Sequence, residues 1–90
     1  MPINLTDHAF IYHKRGGHNI VFEISDQDEV ADPCYYGYLS VDGSWIIQEM
    51  NTANGTYRYF AGTSGYKTAV TGGWATRATH TYVYYNELEG

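Results

Sequence analysis

The chain has 90 residues, with ten acidic side chains, five basic side chains and a formal net charge of −5. A chain of this length buries only about 60–65% of the surface that its unfolded form exposes, which is too little to enclose a deep active-site cleft. Nucleic-acid binding depends on neutralising phosphates, and five cations supply little of that neutralisation. The single cysteine, Cys34, excludes an internal disulfide framework and a cysteine-rich zinc site.

Two β-prone runs, at residues 9–15 and 18–24, are separated by a pair of glycines. Such a pair between β-prone runs is typical of a hairpin turn. The second run places Ile20, Phe22 and Ile24 at alternate positions, which is the pattern of a strand with one buried face. We therefore expect a β-hairpin at the start of the chain.

Residues 25–33 interrupt the β pattern with a concentration of acids and end in Pro33. We expect an exposed acidic loop here, and the alternative is a short helix that stops before the proline. The carboxylates of Asp26, Asp28 and Asp32 raise the question of a calcium site, because calcium prefers several oxygen ligands. The spacing lacks the central glycine and distal glutamate of an EF-hand loop, which disfavours calcium.

The region from Cys34 to about Ala61 contains two hairpin signals, Asp42-Gly43 and Asn54-Gly55, each between β-prone runs. Glycine after aspartate or asparagine favours the positive φ angles of tight hairpin turns. We expect a three-stranded antiparallel meander with type I′ turns at both sites.

The middle strand of this meander is apolar on both faces. Trp45 and Ile47 fall on one face, while Ile46, Gln48 and Met50 fall on the other. A strand of this kind lies at the centre of a sheet or is covered on both sides.

Beyond the meander, residues 66–70 fit a strand or a helical turn equally. Residues 79–85 are almost entirely β-branched or aromatic and predict a final strand. The pattern as a whole predicts one all-β domain over residues 1–90, with frayed ends at 1–8 and 86–90. We expect a small antiparallel sandwich or open barrel of about six to seven strands.

Catalytic and metal-binding groups do not fall into a recognised arrangement. The histidines that imidazole-type metal binding would require are spaced five apart near the start, and an odd offset puts strand neighbours on opposite faces. These histidines are His8, His13 and His18, with His80 near the end. Ser44 and Ser64 lack a nucleophile-elbow pattern. We therefore expect no catalysis, no cofactor and no metal.

Ten tyrosines and two tryptophans exceed what one small core should need. Tyrosine suits a surface that is apolar on one side and wet on the other, so we expect a protein interface. The alternatives are that the rings only fill the core, or that they stack on sugars. The predicted interface residues are Tyr36, Tyr38, Trp45, Tyr57, Tyr59, Trp74, Arg77, Tyr82 and Tyr84.

Trp74 and Arg77 lie three residues apart. In a helical turn the guanidinium would stack on the indole or reach a carboxylate, whereas in a strand the two would point to opposite faces. Structural packing is the favoured use of this pair.

The region from Tyr35 to Tyr85 contains four short motifs: an aromatic-Gly-aromatic triplet, a Trp-x-Ile strand, an Ala-Gly turn and a Trp-x-x-Arg-Ala stretch. They are Tyr36-Gly37-Tyr38, Trp45-Ile46-Ile47, Tyr59-Phe60-Ala61-Gly62 and, after Tyr66, Trp74-Ala75-Thr76-Arg77-Ala78, followed by Thr81-Tyr82. Together they resemble a pattern found in small β-rich proteins encoded by tailed bacteriophages and prophages. The chain departs from that pattern at Gly72-Gly73 and in its first hairpin.

This resemblance implies a non-enzymatic virion protein, such as a decoration, head-fibre, neck or tail-fibre component. Its expected partners are a second copy of itself, as a homo-oligomer, or a larger virion protein, without nucleic acid or membrane. The start of the chain lacks a basic and apolar signal peptide, so we expect synthesis in the host cytoplasm. The alternatives are a carbohydrate-binding adhesion module that takes a glycan and a small acidic phage-encoded inhibitor of a host protein.

Overall fold

A computed structural model describes residues 9–13, 19–68 and 71–88 of the chain. It contains a five-stranded antiparallel sheet in which each strand pairs with its neighbours in sequence. The strands are β1 (Ala9–His13), β2 (Asn19–Asp28), β3 (Cys34–Leu39), β4 (Trp45–Asn51) and β5 (Thr56–Gly62). The all-β class is confirmed, and no helix of the described residues has the length and apolarity needed to cross a membrane.

Both hairpins of the meander form at the predicted positions, but their connections are longer than two-residue type I′ turns. The β3–β4 connection closes with Gly43 N–H donating to the Ser40 carbonyl at 3.1 Å, and Gly43 has a φ of 93°. The β4–β5 connection closes with Gly55 N–H donating to the Asn51 carbonyl at 2.8 Å, and Gly55 has a φ of 68°. Each glycine occupies the left-handed conformation that longer hairpin loops also require.

Strand β2 continues past the end predicted for it, as far as Asp28. The register between β2 and β3 shifts between Ile24 and Asp26, which is a β-bulge. A bulge adds a residue to one strand and so breaks the two-residue alternation. The prediction of a loop from residue 25 is therefore wrong for residues 25–28, which belong to β2: Ser25 is the bulged residue, and residues 26–28 pair with β3.

The register also shows how β1 is attached. Ala9 pairs with Glu23, and Glu23 pairs in turn with Leu39. Residues 19–22 of β2 pair with β1 alone, so β1 and this part of β2 extend as a two-stranded ribbon beyond the meander. Phe22 returns to the core, because its side chain is buried in the same cluster as Tyr38 and Ile46.

The sheet carries an apolar cluster on each face, as the alternation in β4 predicts. The tyrosine face is built on Phe22, Cys34, Tyr36, Tyr38, Ile46 and Tyr59. The tryptophan face is built on Tyr35, Trp45 and Ile47, with Tyr66 and Tyr82 packed against them. Residues 45–49 of β4 are all buried, which confirms that this strand is covered on both sides.

The second layer is not a second sheet. It is an irregular segment, residues 63–68 and 71–88, which we call the C-terminal cover. It contains short 3-10 helices at Arg77–Thr79 and Tyr85–Glu87. Of the strand predicted at residues 79–85, only one bridge forms, between Tyr59 and Val83. That strand prediction is wrong, and the six to seven strands of a sandwich are not confirmed.

Trp45 anchors the C-terminal cover to the sheet. Its indole N–H donates to the Ser64 carbonyl at 2.7 Å, and its ring lies 6.0 Å from Tyr66 and 5.7 Å from His80. Gly73 allows this approach, because a Cβ there would lie 2.5 Å from the indole Cζ2. Because glycine has no side chain, the backbone of the cover can lie directly against the Trp45 ring.

Candidate functional site

Most of the residues predicted to form an interface lie inside the protein. Tyr36, Tyr38, Trp45, Tyr59 and Tyr82 retain between 0% and 7% of their surface. Three of them belong to the tyrosine face and two to the tryptophan face. Their rings are enclosed by the chain's own layers, so they contact a partner only if those layers separate.

Trp74 and Arg77 form the helical turn that their spacing allows. The Arg77 guanidinium carbon lies 4.5 Å from the centre of the Trp74 ring, and its Nη1 donates to the Trp74 carbonyl at 2.9 Å. Nε and Nη2 donate to one carboxylate oxygen of Asp28 at 3.0 and 2.8 Å. The pair joins the C-terminal cover to β2, which is a packing role.

The acidic stretch also holds the cover in place. Asp26 accepts hydrogen bonds from the Tyr66 hydroxyl at 2.9 Å and the Lys67 ammonium at 3.0 Å. Burial opposes ionisation of Asp26, but these bonds together with one from Ser25 outweigh it and lower the pKa of the carboxyl. Burial and the bond to Asp26 raise the pKa of the Tyr66 phenol, which stays protonated.

Asp28 and Asp32, the other two carboxylates considered as calcium ligands, accept hydrogen bonds from other side chains and from the backbone. The Arg77 hydrogen bonds lower the pKa of Asp28, and bonds from the Thr52 amide and hydroxyl lower the pKa of Asp32. Both Thr52 groups donate to Asp32 at 2.7 Å. Within residues 9–13, 19–68 and 71–88, no three His, Cys, Asp or Glu side chains lie together as a metal site would require.

His80 and Cys34, which the sequence offered as a metal ligand and a thiol, take part in packing. His80 stacks on Phe60 with centroids 4.3 Å apart, and its Nε2 lies 2.8 Å from the Gly73 carbonyl. The Cys34 thiol is buried, and desolvation raises its pKa. His8 and His18 lie outside the described residues, as does the side chain of His13.

Trp45 bears on the carbohydrate hypothesis, which expects an exposed indole beside loop carboxylates. Trp45 is only 5% exposed, so it lies in the core rather than on a free surface. Trp74 is half-buried, and Arg77 lies over its ring. A sugar stacking on that side of Trp74 would compete with the guanidinium.

The end of the C-terminal cover wraps around the outer edge of β5. Tyr82 packs on the tryptophan face, Val83 pairs with β5 at the edge, and Tyr85 and Leu88 pack on the tyrosine face. The edge strand is therefore enclosed on three sides around Tyr59. This wrap places the last residues of the cover beside the exposed part of β5.

Two of the predicted interface tyrosines remain exposed, and both belong to this edge. Tyr57 on β5 is 46% exposed and Tyr84 in the wrap is 51% exposed. Neither ring lines the open groove of about 210 Å³ at this edge, but Tyr57 precedes the groove residue Tyr59 by two positions and Tyr84 directly follows the groove residue Val83. We call this region, Tyr57 and Tyr84 with the groove, the β5-edge surface. The groove is lined by Tyr59, Phe60, Ala61, Thr81, Val83, Glu87 and Leu88.

The backbone of β5 remains open on both sides of the bridge. Tyr59 and Val83 exchange both backbone hydrogen bonds, at 2.6 and 2.9 Å, so these groups of Tyr59 point away from β4. In an antiparallel strand the same direction recurs at every second residue, here at Tyr57 and Ala61. In the described part of the chain, no backbone partner bonds the outward groups of either residue.

The described residues carry more acidic than basic side chains, and the basic ones are all paired. Each cation of the described residues is in an ion pair: Arg58 with Glu49, Lys67 with Asp26 and Arg77 with Asp28. Glu23, Glu29, Asp32 and Glu87 have no ion pair among those residues. Among the described residues, the charges left without an ion pair are therefore anionic.

Sequence reasoning missed two parts of this arrangement. The alternation of Asp26 and Asp28 signals two carboxylates on one face of a strand, but it was obscured by the bulge. Glu87 and Leu88 fell in a region expected to be frayed, whereas Leu88 packs on the tyrosine face. The Glu87 carboxylate accepts the Tyr84 N–H at 3.2 Å, as the glutamate of a capping box does, but tyrosine in place of serine or threonine at the first position gave no sequence signal for it.

Comparison with known proteins gives no significant match to a protein-family model, to a curated protein or to a solved structure.

Proposed function

We propose that this chain is a non-enzymatic assembly module of a bacteriophage particle that docks on a larger virion protein through the β5-edge surface. The observation that carries the docking role is the exposure of Tyr57 and Tyr84 beside an apolar groove. The phage setting is supported by the sequence resemblance described above.

The chemistry of this surface is that of a protein contact. Tyrosine is enriched at interface centres because it offers a large apolar ring with a hydroxyl that can bond at the rim. The rest of the protein supplies a rigid base for these rings, since both faces of the sheet are already packed. A preorganised surface loses less conformational entropy on binding.

The test is incorporation into particles of the phage or prophage that encodes the chain. The unaltered protein should copurify with particles at a fixed stoichiometry, measured by quantitative mass spectrometry. The double variant Tyr57→Ser and Tyr84→Ser should lower incorporation at least tenfold, because interface tyrosines commonly contribute 1 kcal/mol or more each. Both positions are exposed, so the variant should keep its fold, as measured by circular dichroism.

A matched control uses Val41, a fully exposed apolar residue at the tip of the β3–β4 hairpin. Val41→Ser should leave incorporation unchanged. Particles that lack the chain would refute the virion role, and equal losses in Val41→Ser and the tyrosine variant would refute the docking surface.

The net charge of −5 favours a second candidate, a small acidic inhibitor of a basic host protein. A DNA-mimicking inhibitor would bind a DNA-binding enzyme in competition with duplex DNA, with an affinity that falls steeply as salt is added. Competition electrophoresis on the partner separates the two functions, because docking on a virion protein leaves DNA bound to the host enzyme.

A further inference from the structure

The geometry points to an extended, basic segment of the partner protein as the occupant of the groove. This inference rests on the proposed docking function and names its partner. The segment bonds to the open backbone of Ala61, places an apolar side chain in the groove and sets a lysine or arginine against Glu87.

The first support is the interrupted ladder along β5. The Tyr59–Val83 pair is hydrogen bonded, but the next pair in that register, Ala61 with Thr81, forms no backbone bond. The N–H and C=O of Ala61 therefore face outward without a protein partner among the described residues. Open strand edges bind extended peptides by adding a strand, and main-chain bonds supply much of the affinity.

The second support is the shape of the site beside Ala61. The groove of about 210 Å³ is lined on the β5 side by residues 59–61 and on the side of the C-terminal cover by Thr81, Val83, Glu87 and Leu88. Ala61, Val83 and Leu88 give it apolar walls, and the small side chain of Ala61 leaves room for the incoming one. A strand places alternate side chains on one side, so one enters the groove while its neighbours face outward.

The third support is charge. Glu87 lines the groove, and its carboxylate is aligned by the Tyr84 N–H at 3.2 Å. No cation of the described residues pairs with it. A cationic residue of the incoming segment supplies that pair, and a chain of net charge −5 attracts a basic partner over a longer range.

A second copy of the chain is a weaker occupant. Each copy carries the same net charge of −5, so two copies repel each other. The three described cations already pair within their own chain. Charge complementarity therefore selects a different, basic protein.

The test uses two synthetic octapeptides, one alternating lysine with valine and one alternating glutamate with valine. Amide hydrogen exchange of the full chain is followed by NMR at rising peptide concentration. The Ala61 N–H should exchange rapidly in the free protein and at least tenfold more slowly at saturation with the lysine peptide. The Tyr59 N–H, which is already bonded to Val83, should be protected in both states.

Two variants locate the contact. Thr81→Trp fills the groove from an exposed position and should abolish protection of Ala61 by the lysine peptide. Glu87→Gln should weaken binding about twofold to fivefold, as expected for one exposed ion pair. Glu23→Gln, which removes an exposed acid on β2, is the matched control. It makes the same change in net charge, so it should weaken binding of the lysine peptide less than Glu87→Gln does.

Each alternative result decides the matter. Equal protection by both peptides, or no protection at millimolar concentration, overturns the inference. Protection of Ala61 that rises with protein concentration alone identifies a second copy as the occupant and also overturns it. If Thr81→Trp leaves particle incorporation intact while the Tyr57 and Tyr84 variant abolishes it, the docking function stands and the inserted segment is wrong.

Discussion

Gly37, in the middle of β3, is a position where a single methyl group should disturb the packing of the C-terminal cover. A Cβ there would overlap the Tyr66 hydroxyl and lie 2.9 Å from the Trp74 ring. Gly37→Ala should therefore displace the hydroxyl from Asp26, to which it donates at 2.9 Å. The change acts on the C-terminal cover through a residue of the sheet.

The expected loss has two parts. Overpacking in a closed interior commonly costs about 1–3 kcal/mol. A hydrogen bond to a charged group contributes about 1.5–3 kcal/mol, and the partly solvated Asp26 places this one at the lower end. We expect Gly37→Ala to lower the free energy of unfolding by about 3 kcal/mol, out of roughly 5–13 kcal/mol for a domain of this size.

Urea denaturation of a double-mutant cycle measures this mechanism. Tyr66→Phe alone should lose about 1–2 kcal/mol, the contribution of its bond to Asp26. In the Tyr66→Phe background, Gly37→Ala should cost about 1–2 kcal/mol less than in the unaltered protein, because the overlapping hydroxyl is gone. The ring carbon of residue 66 and Trp74 still lie close to the new methyl group, so part of the cost remains.

The control for this cycle is Gly55→Ala. A Cβ at Gly55 meets no atom within 4 Å, but the φ of 68° imposes a left-handed strain of about 1–2 kcal/mol. That cost should be the same with Tyr or Phe at position 66. The reasoning is refuted if Gly37→Ala changes the stability by less than 0.5 kcal/mol, or if its cost is fully additive with that of Tyr66→Phe.

Three further results are expected. The pKa values of Asp26 and Asp28 are lowered in the folded protein, so the stability that these carboxylates contribute is complete above the unfolded carboxyl pKa of about 4 and is lost as the pH falls through the folded values. The urea midpoint should therefore decline below about pH 4, and it should decline less steeply in Asp28→Asn. Arg77→Lys should lower the urea midpoint despite keeping the charge, because lysine cannot both stack on Trp74 and donate twice to Asp28, and an equal midpoint would contradict this. The thiol of Cys34 should react with Ellman's reagent only as fast as the protein opens, and a fast reaction under native conditions would place the thiol at the surface.

The local part of the fold could be predicted from the sequence, because it depends on the alternation of side chains along a strand and on the residues that favour turns. Gly43 and Gly55 mark the hairpins, and the alternation around Ile46 and Ile47 assigns each residue of β4 to its face. These signals act over a few residues. They do not require knowledge of what covers the sheet.

The non-local part could not be predicted in the same way. Residues 79–85 have the composition of a strand, but the chain leaves β5 after one bridge and packs Tyr82 and Tyr85 on opposite faces of the sheet. β-propensity measures how a side chain packs on a pleated surface, and tertiary contacts from another element can satisfy it as well. The burial of the predicted interface tyrosines has the same cause, since the cover is supplied by the chain itself.

The order in which the cover is made has a consequence during translation. Its polar attachments reach back across 41 residues from Lys67 and 49 residues from Arg77 to a strand near the start of the chain. At a synthesis rate of about 5–20 residues per second, the ribosome takes roughly 1–5 s to add residues 63–88 after Gly62. Until the cover packs, its residues Tyr66 and Tyr82 do not shield the tryptophan face, so we expect incomplete chains to be prone to aggregation. A chain truncated after Gly62 should accordingly bind the dye ANS, which the full chain should not.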